Sequence, residues 1–569
     1  MYMTMKRIVR YIIVLALTCM SLAGAQARTL TINPGAVRGD LTQYLREVGA
    51  STNYKDTVLL DVGKGSYTID GSVIFHCHLI IKGRGEGEST VVFDQGRDRG
   101  SFKAFIDDCF IDVFGTLAHP LSLSISDISF RVKEHKGIWW EHKSNYMFKI
   151  RHCNSVNINH VTSYNYNASL TNFNLHVCSN VNFTDCDITN YNNSDNGGCL
   201  WLRGEMHNIS IKRNKFTKYG KDEAVAVFDR LVDNSKQYIR GTASRTDIFI
   251  EDNDFYYGYD GKDKNVNSKN DMIFSLYTDH QQSKDRCMTL NFHLKNNRFN
   301  INEMTTRCMY IGFDPADVHQ DIYIENNQIV NNKSPREVLY YRGDIEIHDL
   351  SSSKDAIHIN NNNVLNNDPV MNDAGTTGYT FLIMRGGNVS MASNTVVNNV
   401  AREPRSNKPY GVQLVWCKPD GNSKVTMTGN VCKGLDCVAH VGAWQTSQQF
   451  SLTATNNYFS GNTRVYCDNI VKLDLNFTGN TFNSSSETFF LQEFASKGTV
   501  IFNNNEVTVA KGNGQFMTHK SSKGSTRSMR FDKLEVKNNV IKGVKNEQEM
   551  LKNVTNVGKR KLSNNRLSR

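Results

Sequence analysis

The sequence lacks a Cys-x-x-Cys pair, and its 13 cysteines follow no regular spacing. Both absences argue against a disulfide framework. Cys186 and Cys432 fall at apolar positions of a repeat, so buried, unpaired thiols are expected. After the first residues, no apolar run is long enough to span a bilayer. Asn-Gly and Asp-Gly pairs are too few at strand ends for the tight hairpins of an antiparallel sandwich or propeller. A dense basic patch is also missing. The formal net charge of +10 is spread along 569 residues, which speaks against a nucleic-acid partner and leaves a modest preference for an acidic one.

What is present begins with an export signal. Lys6, Arg7 and Arg10 precede a short apolar core, Ile12 to Leu17, and Ala25-Gln26-Ala27 supplies small residues before a cleavage point at Arg28. Residues 1–27 are therefore read as a signal peptide, and the mature chain as periplasmic, secreted or held at the cell surface. Cys19 offers a lipid anchor as the alternative, although Ala16-Leu17-Thr18 fits a lipidation site poorly.

One phrase then recurs through the chain. It reads "IFIEDNDF" at 248–255, "FHLKNNRF" at 292–299, "IYIENNQI" at 322–329, "IHINNNNV" at 357–364 and "VIFNNNEV" at 500–507. Its key Asn falls at 214, 253, 297, 327, 362, 394, 430, 457, 480, 505, 539 and 565. The mean period is about 32 residues, inside the solenoid range. Looser copies lie at 123–130, 156–163 and 181–188. The alternating I-x-I predicts a strand with one buried face. The Asn predicts a bend, because it tolerates left-handed backbone angles and its amide bonds nearby backbone. Stacked coils would align these amides into a ladder. A second strand sits between successive phrases, as in "YMFKI" (146–150), "FNLHV" (173–177), "CLWLR" (199–203) and "TFLIMR" (380–385).

This combination resembles the right-handed parallel β-helix of the pectate-lyase-like superfamily, over about residues 28–569. The resemblance implies an all-β solenoid with an N-terminal capping α-helix, in a single domain. "DLTQYLREVG" (40–49) carries apolar residues at 41, 44, 45 and 48, with Asp40 as N-cap and Gly49 as stop. It would cover strand edges exposed at the solenoid's end. Residues 28–75 would then form the cap and first coil, with "DTVLLDVGKGSYTIDGSVIF" (56–75) as that coil.

In such a solenoid, outward residues of successive coils stack about 4.8 Å apart. Lys149, His176, Arg203 and Arg230 are spaced by 27 residues, and Phe148/Ile150, Leu175/Val177 and Leu202 flank the first three. They are expected to form one cationic column, with Arg230 also readable in a second register. Glu205, Asp222, Glu223 or Asp229 would offset that charge in a solvated ion-pair network; a polyanionic ligand is the alternative. Trp201, Tyr277, Tyr310, Tyr340 and Trp416 lie on or near the second strands, and Arg342 and Arg385 end two of them. Aromatic faces stack on sugar rings and guanidinium forks bind carboxylates; the alternative is that about half of these rings are core. Long connections such as 256–271 and 366–378 would wall a groove.

The resemblance adds chemistry. Its alginate-lyase and chondroitin-lyase branch cleaves acidic polysaccharides by β-elimination, with Lys and Arg as base and acid and often Ca²⁺ on the uronate carboxylate. Lys149, Arg203 and Arg230 would supply such groups, with His176 an alternative base. Calcium would want clustered acidic oxygens, for which Asp222-Glu223 with Asp195 or Asp229 are the candidates. The glycoside-hydrolase branch needs two carboxylates about 5–9.5 Å apart. Asp222, Glu223 and Asp229 would serve, but Gly-His-Gly and Arg-Ile-Lys are absent. A non-catalytic, glycan-binding or structural solenoid is the third reading. The partner expected throughout is a polysaccharide, acidic in character.

Overall fold

The computed structural model describes residues 27–32, 41–94, 109–133, 145–166, 170–192, 197–204, 206–220, 223–230, 245–258, 272–279, 288–302, 307–313, 318–332, 337–342, 356–367, 380–399, 412–417, 422–442, 449–468, 472–484, 489–492, 497–509, 517–520, 531–551, 554 and 557–568. The signal-peptide reading falls almost wholly outside them. The chain forms two compact units, residues 1–225 and 226–569.

In the first unit every strand pairs in parallel with a strand one coil away, giving three sheets. Sheet A runs from Ala27–Ile32 through Thr57–Val62 and His78–Lys82 to Ser179–Thr184 and His207–Lys212. Sheet B runs from Gly65–Ile69 and Ser89–Phe93 to Asp187–Asn192 and Lys215–Gly220. Two long strands, Leu121–Val132 and Cys153–Tyr166, pass through the corner and belong to both. Sheet C holds Val73–Phe75, Cys109–Phe114, Asn145–Arg151, Leu170–His176 and Leu200–Arg203. This is the expected parallel β-helix, whose crossovers turn right-handed by the general rule for parallel strands. Alternation places Val58, Leu60, Leu79 and Ile81 inside, and a run of phenylalanines fills the centre. Phe148 and Phe173 stack at 4.9 Å.

Helix α1, Thr42–Ala50, covers the first coil as expected, burying Leu45 and Val48. The backbone N–H of Leu41 donates to the Thr68 carbonyl, and Arg46 donates to that of Ser72. Two details differ from expectation. Asp40 lies outside the described residues and the N-cap position is Leu41, without a side-chain cap. Gly49 is not the stop, because the helix runs past it to Ala50. A Cβ there would sit 2.2 Å from the Ile74 carbonyl oxygen, so glycine is required by close approach of the helix to sheet C.

The second unit repeats the plan. Sheet A extends from Arg245–Glu251 to Val557–Ser563 and sheet B from Asp254–Gly258 to Arg566–Ser568. Sheet C includes the strands from Met272–Asp279 to Met517–Lys520. In the last coil a short helix α2, Glu547–Met550, stands where a sheet C strand would be. It is capped by Asn546, which accepts from the N–H of Glu549, and it buries Met550, followed by the buried Leu551 at its C-cap.

From Ser179–Thr184 onward the A-to-B corner has two residues in each described coil, whatever the coil length. The first takes the left-handed conformation: Arg213, Asp252, Asn296, Asn326, Asn361 and Ser393 all have φ between +55° and +58° apart from Asn326 at +54°. The second is the key Asn. The two jobs assigned to one Asn from sequence are therefore divided between neighbours. Asn327 Nδ2 donates to Asn362 Oδ1 at 3.0 Å and to the Leu294 carbonyl at 2.8 Å. Its Oδ1 accepts from both Nδ2 and backbone N of Asn297. The pattern repeats from Asn253 to Asn565, so each buried amide inside the ladder is saturated, as a dry interior requires. In the first unit Ile128, Val161 and Cys186 fill the same corner position, after Asp127, His160 and Asp185 at φ +56°, +49° and +56°. Ten described cysteines outside any disulfide are all buried. Burial pushes the thiols of Cys186 and Cys432 up to about 12, which leaves them as inert packing groups.

Candidate functional site

Chain variation collects at the borders of sheet C. From Ser179–Thr184 onward the A-to-B corner is constant, whereas the connections into and out of sheet C range from a few residues to long segments such as 259–271, 343–355 and 401–411, which lie outside the described residues. The outer faces differ accordingly. Sheet A strands alternate between buried and solvent-facing positions. Several sheet C strands are covered on both sides: all five residues of Thr380–Met384 are buried, as are six of the seven in Leu170–His176, although Ile74 on Val73–Phe75 is exposed.

Register in sheet C revises the expected column. Phe148 pairs with Phe173, and Lys149 with Asn174. One coil on, Asn174 pairs with Trp201 and His176 with Arg203. Arg151, not Lys149, precedes His176. Two outward rows result in the first unit. One is Asp112, Lys149, Asn174, Trp201; the other is Phe114, Arg151, His176, Arg203. Equal spacing misled because the coil between Lys149 and Asn174 is shorter than the next one. Lys149 keeps the predicted outward face but stands in the neighbouring row. Arg151 was missed, although it shares the parity of Lys149 on the same strand.

The charge of the second row is offset by a residue that sequence reasoning did not select. Arg151 Nε donates to Asp112 Oδ1 at 3.1 Å and its Nη2 to Asp112 Oδ2, while the guanidinium lies 3.7 Å from the centre of the Phe114 ring. Asp112 is 5% exposed, and a carboxylate so placed needs this fork. The described contacts of Arg203 are aromatic. Its guanidinium sits 4.5 Å from the Trp201 ring centre, and Nη1 is 3.4 Å from the Tyr146 hydroxyl. Lys149 Nζ is 5.8 Å from the Tyr146 ring centre. Tyr146 thus links the cations of both rows. Gly198 lets the chain pass against this group: a Cβ would meet Trp201 Nε1 at 2.4 Å and the Glu223 carbonyl at 2.6 Å.

Two further observations mark the place. Asn174 is 2% exposed, and its side-chain oxygen has no hydrogen-bond partner among the described residues. Such a group is costly to bury. The residue after each member of the cationic row also takes a left-handed angle: His152 at φ +50°, Val177 at +54° and Gly204 at +77°. For a β-branched residue such as Val177 this is strained, and strain of this kind gathers at functional positions.

The remaining predicted residues divide as follows. Glu223 is buried beside Gly198. Glu205, Asp222 and Asp195 lie outside the described residues, as do the side chains of Asp229 and Arg230. Among the described residues no three His, Cys, Asp or Glu side chains gather as a metal would need. In the second unit, register places Tyr310, Tyr340 and Trp416 in one row, with Ile383 between the last two. Trp416 stacks on His440 at 5.5 Å. Tyr310 folds over Gly312, where a Cβ would meet its ring. Tyr277 belongs to the next row, opposite Gly312 and then Arg342. The side chains of Tyr277, Tyr340 and Arg342 are outside the described set. Arg385 follows its strand and its N–H donates to the Tyr341 carbonyl. Trp201 is an outward residue by register but is almost fully covered. Among the described residues no helix is long and apolar enough to cross a membrane.

No family model matches the chain, and no curated protein sequence matches it. Solved structures do. The catalytic unit of a thermostable GH87 α-1,3-glucanase from Streptomyces thermodiastaticus strain HF3-3 is 13% identical, with a TM-score of 0.36, over 79% of this chain; the chain spans 66% of that structure, just under two thirds of its length. The tailspike gp61 of Pseudomonas phage phi297 is 10% identical, with a TM-score of 0.26, over 86% of this chain and 71% of its own. The Streptococcus pneumoniae surface protein and adhesin PfbA is 10% identical, with a TM-score of 0.27, over 90% and 91%. By its own strand register, the chain is a parallel β-helix protein.

Proposed function

We propose that the protein is exported and cleaves an acidic, uronate-containing polysaccharide by β-elimination on the outer face of sheet C in the first unit. The observation that carries this reading is the row Arg151, His176, Arg203, set beside Lys149 and the buried, unpartnered oxygen of Asn174. β-Elimination needs a base for the proton α to the carboxyl group and positive charge to hold the enolate-like anion. His176 is the base in this assignment, because the register sets it between two guanidinium groups. In this reading Arg203 holds the substrate carboxylate, and the Tyr146 hydroxyl, which accepts from Arg203 Nη1 at 3.4 Å, protonates the leaving oxygen. Lys149 adds charge from the neighbouring row. A calcium ion on the uronate is compatible with this chemistry, with Asp222 and Glu223 as its sequence candidates.

A glycan-binding role without catalysis is the second reading. The aligned Tyr310, Tyr340 and Trp416 positions favour it. One assay separates the readings. The protein is incubated with uronate polysaccharides, and the unsaturated product is followed by ultraviolet absorbance, with and without a chelator. Elimination predicts a rising signal that His176→Ala abolishes. New reducing ends without that signal would indicate hydrolysis and overturn the assignment. Retained binding with neither product would leave the glycan-binding reading.

A further inference from the structure

A second surface of the first unit is shaped to hold a ligand. On the outer side of sheet B a cleft of about 590 Å³ opens over four consecutive coils, a volume in the range of small-ligand sites. Its floor is set by register: Thr68 pairs with Val92, Val92 with Arg131, and Arg131 with Tyr164. Ser66 adds a second hydroxyl, and the Lys133–Asp94 ion pair, at 2.5 Å, closes one side.

Arg131 is the exception among outward cations here. Lys133 is paired with Asp94, Lys215 with Asp187 and Arg213 with Asp185. Arg131 is exposed and makes no hydrogen bond or ion pair among the described residues. The cleft therefore carries one uncompensated guanidinium, with a half-buried tyrosine ring on the next rung and hydroxyls on its floor. A guanidinium fork matches a planar or tetrahedral oxyanion, and a tyrosine ring offers an apolar face with a polar tip. A sugar bearing an anionic group satisfies all three features at once: its charge on Arg131, its C–H face on Tyr164 and its hydroxyls on Ser66 and Thr68.

We propose that this cleft is a second carbohydrate subsite, separate from sheet C, that binds a sugar residue carrying a carboxylate or a sulfate ester. It does not depend on the elimination reading, because it uses another sheet and no residue of the cationic row.

The test is calorimetric titration of the full chain in an Arg203→Ala background, which weakens the sheet C site. Three probes are compared: a uronate trisaccharide, a sulfated neutral trisaccharide and the same neutral trisaccharide unmodified. At least one anionic probe should bind, and adding Arg131→Ala should weaken it about tenfold or more, the loss expected for one charge-assisted fork. Arg131→Lys should restore part of the affinity, and circular dichroism should be unchanged, since Arg131 supports no described contact. Which anionic probe binds identifies the ester or the carboxylate. Equal binding of the neutral sugar, or full affinity in Arg131→Ala, would overturn the proposal.

Discussion

Sheets A and C are built by the same coils, yet their outer faces are opposites. Sheet A is open, with polar residues paired along and between rungs: Lys533 and Lys537 both reach Glu535 at 2.9 Å. Between them run stacked rings such as His293 and Tyr323, 4.8 Å apart. These rings stack face to face along the sheet. Several strands of sheet C are covered, and its outer polar groups are not all matched, as Asn174 shows. On sheet C of the first unit the unmatched Asn174 oxygen and the left-handed, β-branched Val177 stand on neighbouring rows.

The largest effect should come from the element that supports both faces. Asn327→Ala removes an acceptor for two donors of Asn297 and takes one donor each from Asn362 Oδ1 and the Leu294 carbonyl, while the backbone N–H of residue 327 still reaches Asn362. Several buried groups at about 1–3 kcal/mol each predict a loss of about 4 kcal/mol. Chemical denaturation measures it, and a loss under about 1 kcal/mol would mean that the ladder is dispensable. Asp112→Asn should follow. It leaves Arg151 without its carboxylate in a covered place and should cost about 2 kcal/mol. On sheet A, Glu535→Gln should change stability by less than about 1 kcal/mol, because its pairs are near solvent. Its sign is fixed by pH. Hydrogen bonds from Lys533, then Lys537 and Asn503, hold the carboxyl down to about 2. Its contribution is therefore complete above the ordinary glutamate range and is lost as pH falls toward 2. Wild type and variant should differ at pH 7 and converge near pH 2.

Much of this architecture was legible in the sequence because two periodicities write it directly. Alternation gave sheet A, and the recurring Asn gave the corner and the ladder. Two things were not legible. Left-handed angles belong to the residue before the ladder Asn, and that position accepts Arg, Asp, Asn, Ser or Gly, so composition alone does not single it out. The rows of sheet C were also hidden. Parity tells which face Lys149 occupies, but only the coil length tells which row, and that length changes between Phe148–Phe173 and Phe173–Leu200. Arg151 and Asp112 escaped for the same reason. Their pairing joins residues of different coils, which no local pattern reports.

The central claim is that the row on sheet C holds an anionic sugar while sheet A does not. The most direct measurement is the affinity of a uronate oligosaccharide for Arg203→Ala and Lys472→Ala, with thermal unfolding of both as control. Lys472 lies on sheet A and pairs with Asp474 at 2.9 Å. Arg203→Ala should bind about tenfold more weakly with unfolding unchanged, and Lys472→Ala should bind as wild type. Equal affinities, or an Arg203→Ala protein that no longer folds, would contradict the account.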